Sequence, residues 1–348
     1  MGSVNIDNTG AGAGVTLSSD GTDLLLDGTA IGGGGGTALE LYAENPSSPT
    51  TPLVSGPNSV AVGSGSRAQS TNGSTAFGIS AVATANASFA AGFQPQATGV
   101  GSLALGYNAL AGSSFSTTVG YNAQTATGSN ATALTNSYAS GADSFAAAIG
   151  NNTSTYGATG ANSIAMGYRA KATGSYNIVL AKEGSATGTY STIIGGTAGS
   201  DNGAWGKFVF PSSFLNGGQQ GLFVLREATT DATASTLRTN GGAAGTTNQV
   251  ILPNNSAYAF HGTIVARQQA STGTASAAWK VEGLIRREGS AGTTVLVNSA
   301  TTVLDNTPAW GMALSADTTN GGLKIEVTGA AATNIRWVAT INTSEVTY

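Results

Sequence analysis

The sequence predicts an all-β chain in two main parts: a stack of short coils, then a β-sandwich or jelly-roll-like domain. Three observations predict it. A Ser-x-Ala-x-Gly unit returns at spacings of 15, 14, 14, 14, 15, 15, 17, 14 and 14 residues, the mark of a solenoid. Residues 204–348 alternate apolar and polar side chains with the period of a strand. The composition holds 51 glycines but only 9% charged residues in 348, against about 25% charge in an ordinary globular chain.

That composition excludes several classes. Disorder requires high charge and low hydrophobicity, whereas 40% of these residues are apolar and mean hydropathy is +0.05. Collagen needs abundant proline, and there are eight prolines. No stretch approaches the ~20 apolar residues of a membrane span, so no membrane insertion is expected. A net charge of −4 argues against a nucleic-acid partner. The absence of cysteine removes disulfides and thiolate metal sites. Residues 1–12 have neither the basic nor the apolar region of a secretory signal.

Residues 1–57 read as an attachment segment. Val15-Thr16-Leu17 and Leu24-Leu25-Leu26 are short strands around a Ser18-Ser19-Asp20-Gly21 turn. The Gly32–Gly36 run is a hinge, Ala38–Tyr42 a short apolar stretch, and Pro46–Pro52 an extended spacer. No core can form from this segment alone, so it is expected either to order against a partner or to stay an unordered terminus.

Residues 58–203 hold the repeat. It appears as SVAVG ending at Gly63, STAFG at Gly78, SFAAG at Gly92, SLALG at Gly106 and STTVG at Gly120. It continues as ATALT at Thr135, AAAIG at Gly150, SIAMG at Gly167, NIVLA at Ala181 and STIIG at Gly195. Apolar residues at alternate positions point to one face of a strand. On that ground Val60, Val62, Phe77, Phe89, Leu103, Leu105, Ile164 and Ile194 are expected to form the structural core of the repeat. Glycine after each strand permits the positive φ of a sharp corner. Fourteen residues thus make two short strands and two turns, and ten such coils stacked at ~4.8 Å make a rod of ~45–50 Å. Between Asn45 and Ala142 the only charge is Arg67, as expected for surfaces that packing keeps dry. The insertion around Asn151–Gly160 is expected to bulge outward.

The repeat resembles the head of YadA-like trimeric autotransporter adhesins over about Ser59–Gly196. The resemblance implies a left-handed parallel β-roll, three chains packed around a threefold axis, and a homotrimer as the working unit.

Residues 204–348 read as the sandwich. Leu323, Ile325 and Val327 alternate with Lys324, Glu326 and Thr328, and Ile335, Trp337, Ala339 and Ile341 alternate with Arg336, Val338, Thr340 and Asn342. Gaps at Asn240-Gly241-Gly242, Pro253-Asn254-Asn255, Glu288-Gly289-Ser290 and Asn320-Gly321-Gly322 are turns. All four tryptophans lie in this part. The order of attachment segment, thin shaft and β tip resembles bacteriophage tail fibres. The C-terminal sequence itself resembles appendage proteins of phages of aquatic bacteria.

Chemistry is sparse. The single histidine, His261, favours a hydrogen-bonded strand position over a ligand role, and no metal or cofactor is expected. Glu227, Asp231, Glu282, Glu288, Asp305, Asp317 and Glu326 are the carboxylates from which an acid/base pair could come, and nothing pairs any two of them. The chain is therefore expected not to be an enzyme. Trp310, Tyr258, Arg286 and Arg287 are the candidate receptor contacts, on the premise that rings and guanidinium groups on tip loops meet a host glycan or protein. The favoured reading is a homotrimeric phage tail fibre, assembled in the host cytoplasm and carried on the virion, its N-terminal segment docked to other virion proteins. The alternatives are a capsid-decorating appendage, a fragment of a bacterial adhesin and, as a minor option, a tip that depolymerises host polysaccharide.

Overall fold

The structure is a computed structural model. It describes four strands within residues 4–30, then residues 50–150, 154–212, 218–270, 273–306 and 308–348. Val4–Ile6, Val15–Ser19, Leu24–Leu26 and Thr29–Ala30 pair in sequence order as an antiparallel sheet, with Leu17 opposite Leu26. The glycine hinge, the Ala38–Tyr42 stretch and most of the proline spacer fall outside the described residues.

From Leu53 onward the chain winds as a parallel solenoid. Each coil gives one strand to each of two walls. The first wall holds the Ser-x-Ala-x-Gly strands, from Val60–Val62 to Thr192–Thr197. The second holds two-residue strands, from Leu53–Val54 to Ser185–Ala186. Register is kept from coil to coil: Ala76, Ala90 and Ala104 stack in line, and so do Ala83, Ala97 and Ala111 across the way. The coil ending at Thr135 keeps its rungs, with Thr117, Thr132 and Phe145 aligned. Within the insertion, 151–153 fall outside the described residues, and Gly157–Ala158 takes a regular place in the second wall.

What fills the coils corrects the sequence expectation. The interior is lined by the middle residue of each strand: Ala61, Ala76, Ala90, Ala104, Thr118, Ala133, Ala146, Ala165, Val179 and Ile193 are all buried. The flanking apolar residues point the other way. Val60 is 47% exposed, Phe77 40% and Ile194 37%, while Val62, Phe89, Leu103, Leu105 and Ile164 are half-buried. None of these eight is the core of its own coil. Two walls this close leave room for little more than methyl groups between them, so alanine takes the inside and larger side chains are turned out. The repeat serine closes the corner: Ser88, Ser116, Ser144 and Ser163 each donate Oγ–H to the carbonyl three residues back, at 2.6 to 2.7 Å. The corner glycines are required by space as well as by φ. At Gly92, φ is +129° and a Cβ would stand 2.2 Å from the carbonyl oxygen of Gly106 in the next coil.

The first wall runs without a break into the C-terminal domain. Thr192–Thr197 pairs in parallel with Phe208–Pro211, which then pairs antiparallel with Gly218–Thr229. Ile335–Thr347, Ser256–Gln268, Ser276–Arg287 and Val295–Asp305 follow in that order. A smaller sheet centred on Gly322–Thr328 covers one face of these strands, making two layers. Between them lie Phe223, Leu225, Tyr258, Phe260, Ile264, Ile285, Leu323 and Ile325, with three tryptophans. Trp337 is central: its ring lies 5.8 Å from both Trp279 and Trp310, and its Nε1–H donates to Thr229 Oγ1 at 3.0 Å. Among the described residues the one helical element is a 3-10 turn at Ala291–Thr293.

Candidate functional site

The surfaces are where this fold offers function, and the first of them is the outer face of the first wall. Alternation along each Ser-x-Ala-x-Gly strand sends its two flanking side chains outward. Parallel pairing then stacks them into columns. Val60, Thr75, Phe89, Leu103, Thr117 and Thr132 make one, and Val62, Phe77, Ala91, Leu105, Val119 and Leu134 make the other. Further along, Ile164, Ile178, Met166, Leu180 and Ile194 continue the two columns, and Phe208 carries the first of them to the edge of the terminal domain. Neither column contains a charged residue from Val60 to Ile194. A monomer seldom exposes an apolar patch of more than a few hundred Å² without a partner.

The corners carry aromatic ladders. Phe93, Tyr107 and Tyr121 stack at 5.1 and 5.3 Å, and Tyr176 and Tyr190 at 4.7 Å, distances set by the ~4.8 Å rise of one coil. Tyr176, Tyr190 and Phe115 occupy corner positions with φ of +59°, +60° and +55°. Asn130 and Asn162 fill the equivalent positions in neighbouring coils. Asparagine suits that conformation and a bulky ring does not.

The four candidate receptor contacts divide. Tyr258 is fully buried in the terminal core, and its hydroxyl accepts from Asn202 Nδ2 at 3.2 Å. Burial, with the negative charge of Glu345 nearby, pushes its pKa well above the usual tyrosine value. Trp310 is also buried, its backbone clamped by the side chain of Asn306, which accepts from Trp310 N–H and donates to Trp310 C=O. Both rings serve the core of this chain, and the expectation that they sit on tip loops is corrected. Pro308 does mark a turn before Trp310, but the indole is buried against Trp337. Arg287 is turned inward as well, donating Nη1–H to the Leu252 carbonyl at 2.7 Å. Arg286 alone is exposed, with Glu288 3.9 Å away.

His261 stands exposed on the outer face of the main sheet, opposite Glu282 and Asn342. Thr263, Lys280 and Thr340 complete a shallow hollow beside it. No group of three potential metal ligands occurs among the described residues. The carboxylates are mostly engaged. Glu227 pairs with Arg238, Glu326 with Lys324, and Glu282 with Lys280 at 3.9 Å. Asp317 accepts from the backbones of Thr319 and Asn320 and from the side chains of Asn320 and Gln249. Those donors hold its carboxyl below the usual aspartate value against the opposing effect of partial burial. Asp231 is likewise lowered, by the backbone N–H of Thr233.

The sequence reading missed one cluster altogether. Lys207 and Glu345, both buried, form an ion pair of 2.7 Å between the end of the solenoid and the last strand. The two stand 138 positions apart in sequence, and no local pattern links them.

No curated protein matches the chain. Among solved structures it is similar to the tailspike protein gp49 of Acinetobacter baumannii bacteriophage Fri1, at 12% identity and a TM-score of 0.24. That likeness covers 86% of this chain and 48% of the other. It is also similar to the tailspike of Acinetobacter baumannii phage AM24, at 9% identity and a TM-score of 0.21, covering 85% and 54%. The chain thus spans about half the length of each. The Fri1 protein is described as a capsular polysaccharide depolymerase. With an enzyme among its structural neighbours, the expectation that this chain is not an enzyme is withdrawn. No catalytic residue of this chain follows from that neighbour. Within the solenoid, residues 55–73, 97–123 and 158–176 match the YadA head domain repeat.

Proposed function

We propose that the chain is a receptor-binding fibre protein of a virion, working as a homotrimer. The observation that carries this reading is the uncharged double column on the first wall. It runs from Val60 to Ile194 and is made of side chains that the chain's own core does not use. Two further copies of the same chain supply a matching surface at the same spacing, and closed rotational symmetry is the common way for identical surfaces to bury one another. Burial at about 25 cal/mol per Å² of apolar surface accounts for why large side chains are kept at positions where solvent would favour polar ones. The YadA-like repeats and the phage tailspike likenesses support the adhesive and viral parts of the reading.

In this arrangement the N-terminal segment docks on the particle and the two-layer domain stands at the far end, toward the host. Receptor contacts are then sought on the exposed side chains of that domain, Arg286 among them, and not on Trp310 or Tyr258. An adsorption competition tests the proposal. Excess soluble full-length chain is expected to block attachment of the virus that carries it. Attachment that proceeds unchanged at saturating chain would contradict a receptor-binding role.

A further inference from the structure

The join between solenoid and terminal domain holds an amine, a carboxyl and an amide in one buried cluster. Lys207 opens the terminal domain directly after the last coil, and its side chain is wholly shielded from solvent. Its Nζ donates to Glu345 Oε2 at 2.7 Å. Gln219 stands opposite Glu345 in the sheet, and its Nε2 donates to the same oxygen at 2.6 Å. The amine and the amide nitrogen therefore share one acceptor atom. Ser200 fixes which way the amide points: its N–H donates to Gln219 Oε1 at 3.0 Å, and its carbonyl accepts from Gln219 Nε2 at 2.8 Å. Thr343 Oγ1 donates to Glu345 Oε1 at 2.6 Å.

The surroundings are apolar and shaped for this cluster. The rings of Phe223 and Tyr258 lie 5.4 and 5.5 Å from the lysine nitrogen. Gly221 leaves the necessary room, since a Cβ there would stand 2.9 Å from Lys207 Cε and 2.2 Å from Glu345 Oε1. Out of water, an ion pair competes with its neutral form, in which the proton has moved from amine to carboxyl. Desolvation lowers the proton affinity of Lys207, opposed in part by the charges of Glu345 and Asp201. A neutral lysine in an apolar pocket is a nucleophile.

We propose that Lys207 and Gln219 join in an intramolecular isopeptide bond, with Glu345 as the catalytic proton carrier. Glu345 takes one proton from Nζ. The freed lone pair attacks Gln219 Cδ, and the carbonyl electron pair moves onto Oε1, where the Ser200 N–H stabilises the developing charge. Glu345 then gives its proton to Nε2 and receives a second from Nζ. The Nζ–Cδ bond is made, the Cδ–Nε2 bond breaks, and one ammonia leaves. Glu345 ends holding the remaining proton. The reaction needs no oxidant, metal or cofactor.

The intact mass of the purified full-length chain under denaturing conditions tests this. The expected mass falls short of the sequence mass by one ammonia, and a proteolytic digest yields a joined peptide containing Lys207 and Gln219. Gln219→Met and Glu345→Gln are each expected to restore the full mass. A wild-type chain at its full sequence mass would overturn the proposal. So would the loss of one water with Lys207 joined to Glu345, which names the wrong acceptor. Mass read per denatured chain is independent of assembly, so the outcome stands apart from that of the trimeric fibre.

Discussion

At the residue scale, the repeat is a set of steric answers to one narrow cross-section. Alanine faces inward in most coils because the walls leave little room, serine ties the corner carbonyl, and glycine sits where a side chain would meet the next coil. Gly92→Ala tests the last of these. The added methyl meets a backbone oxygen at 2.2 Å and forces φ away from +129°. A loss of more than about 1 kcal/mol is expected in chemical denaturation, and an unchanged midpoint would show that the corner yields. Asp317 gives a pH test. Its carboxyl titrates lower in the fold than in the open chain, so its contribution is present above the ordinary aspartate pKa. It is lost as pH falls through the lowered folded value. Asp317→Asn is expected to lower stability most at neutral pH and to converge with the wild type as pH falls through that window, which flattens the acid limb of the profile. The measurement is melting temperature against pH for both proteins.

At the element scale, the outward columns of the first wall are the feature to break. Leu105→Asp places a carboxylate on a column that holds no other charge. In the proposed trimer the threefold axis brings three of them together without counter-charge, at a cost of several kcal/mol for each unpaired charge. Loss of the assembled species in size-exclusion chromatography is expected, with the chain's own fold kept because Leu105 lies outside its coil. Normal assembly would place Leu105 toward solvent. The same strand shows what sequence could and could not reveal. Spacing and alternation gave the coils, their corners and the solenoid, because each depends on residues within one repeat. Alternation names two faces without saying which is inside, and the larger residues of SLALG proved to be the outer ones. In the terminal domain, alternation placed Trp337 and Ile341 correctly in the core. Trp310 and Tyr258 were misplaced because the smaller sheet that covers them comes from distant segments. The Lys207–Glu345–Gln219 cluster was invisible for the same reason: its members meet only once the last strand has found its place.

At the scale of the whole molecule, one sheet runs from the first coil to the terminal domain, so the outer face of the shaft and that of the tip are parts of one surface. The scarcity of charge in the shaft belongs to that surface, and the charged residues gather beyond it. The proposed homotrimer, closing its three first walls around an axis, accounts for both the exposed columns and the thin coils lined mostly by alanine, which bury too little alone to offset their ordering entropy. The most direct test is the sedimentation-equilibrium mass of the full-length chain at micromolar concentration and below. The account predicts three times the chain mass of 34.1 kDa, unchanged on dilution. A single-chain mass across that range would contradict it.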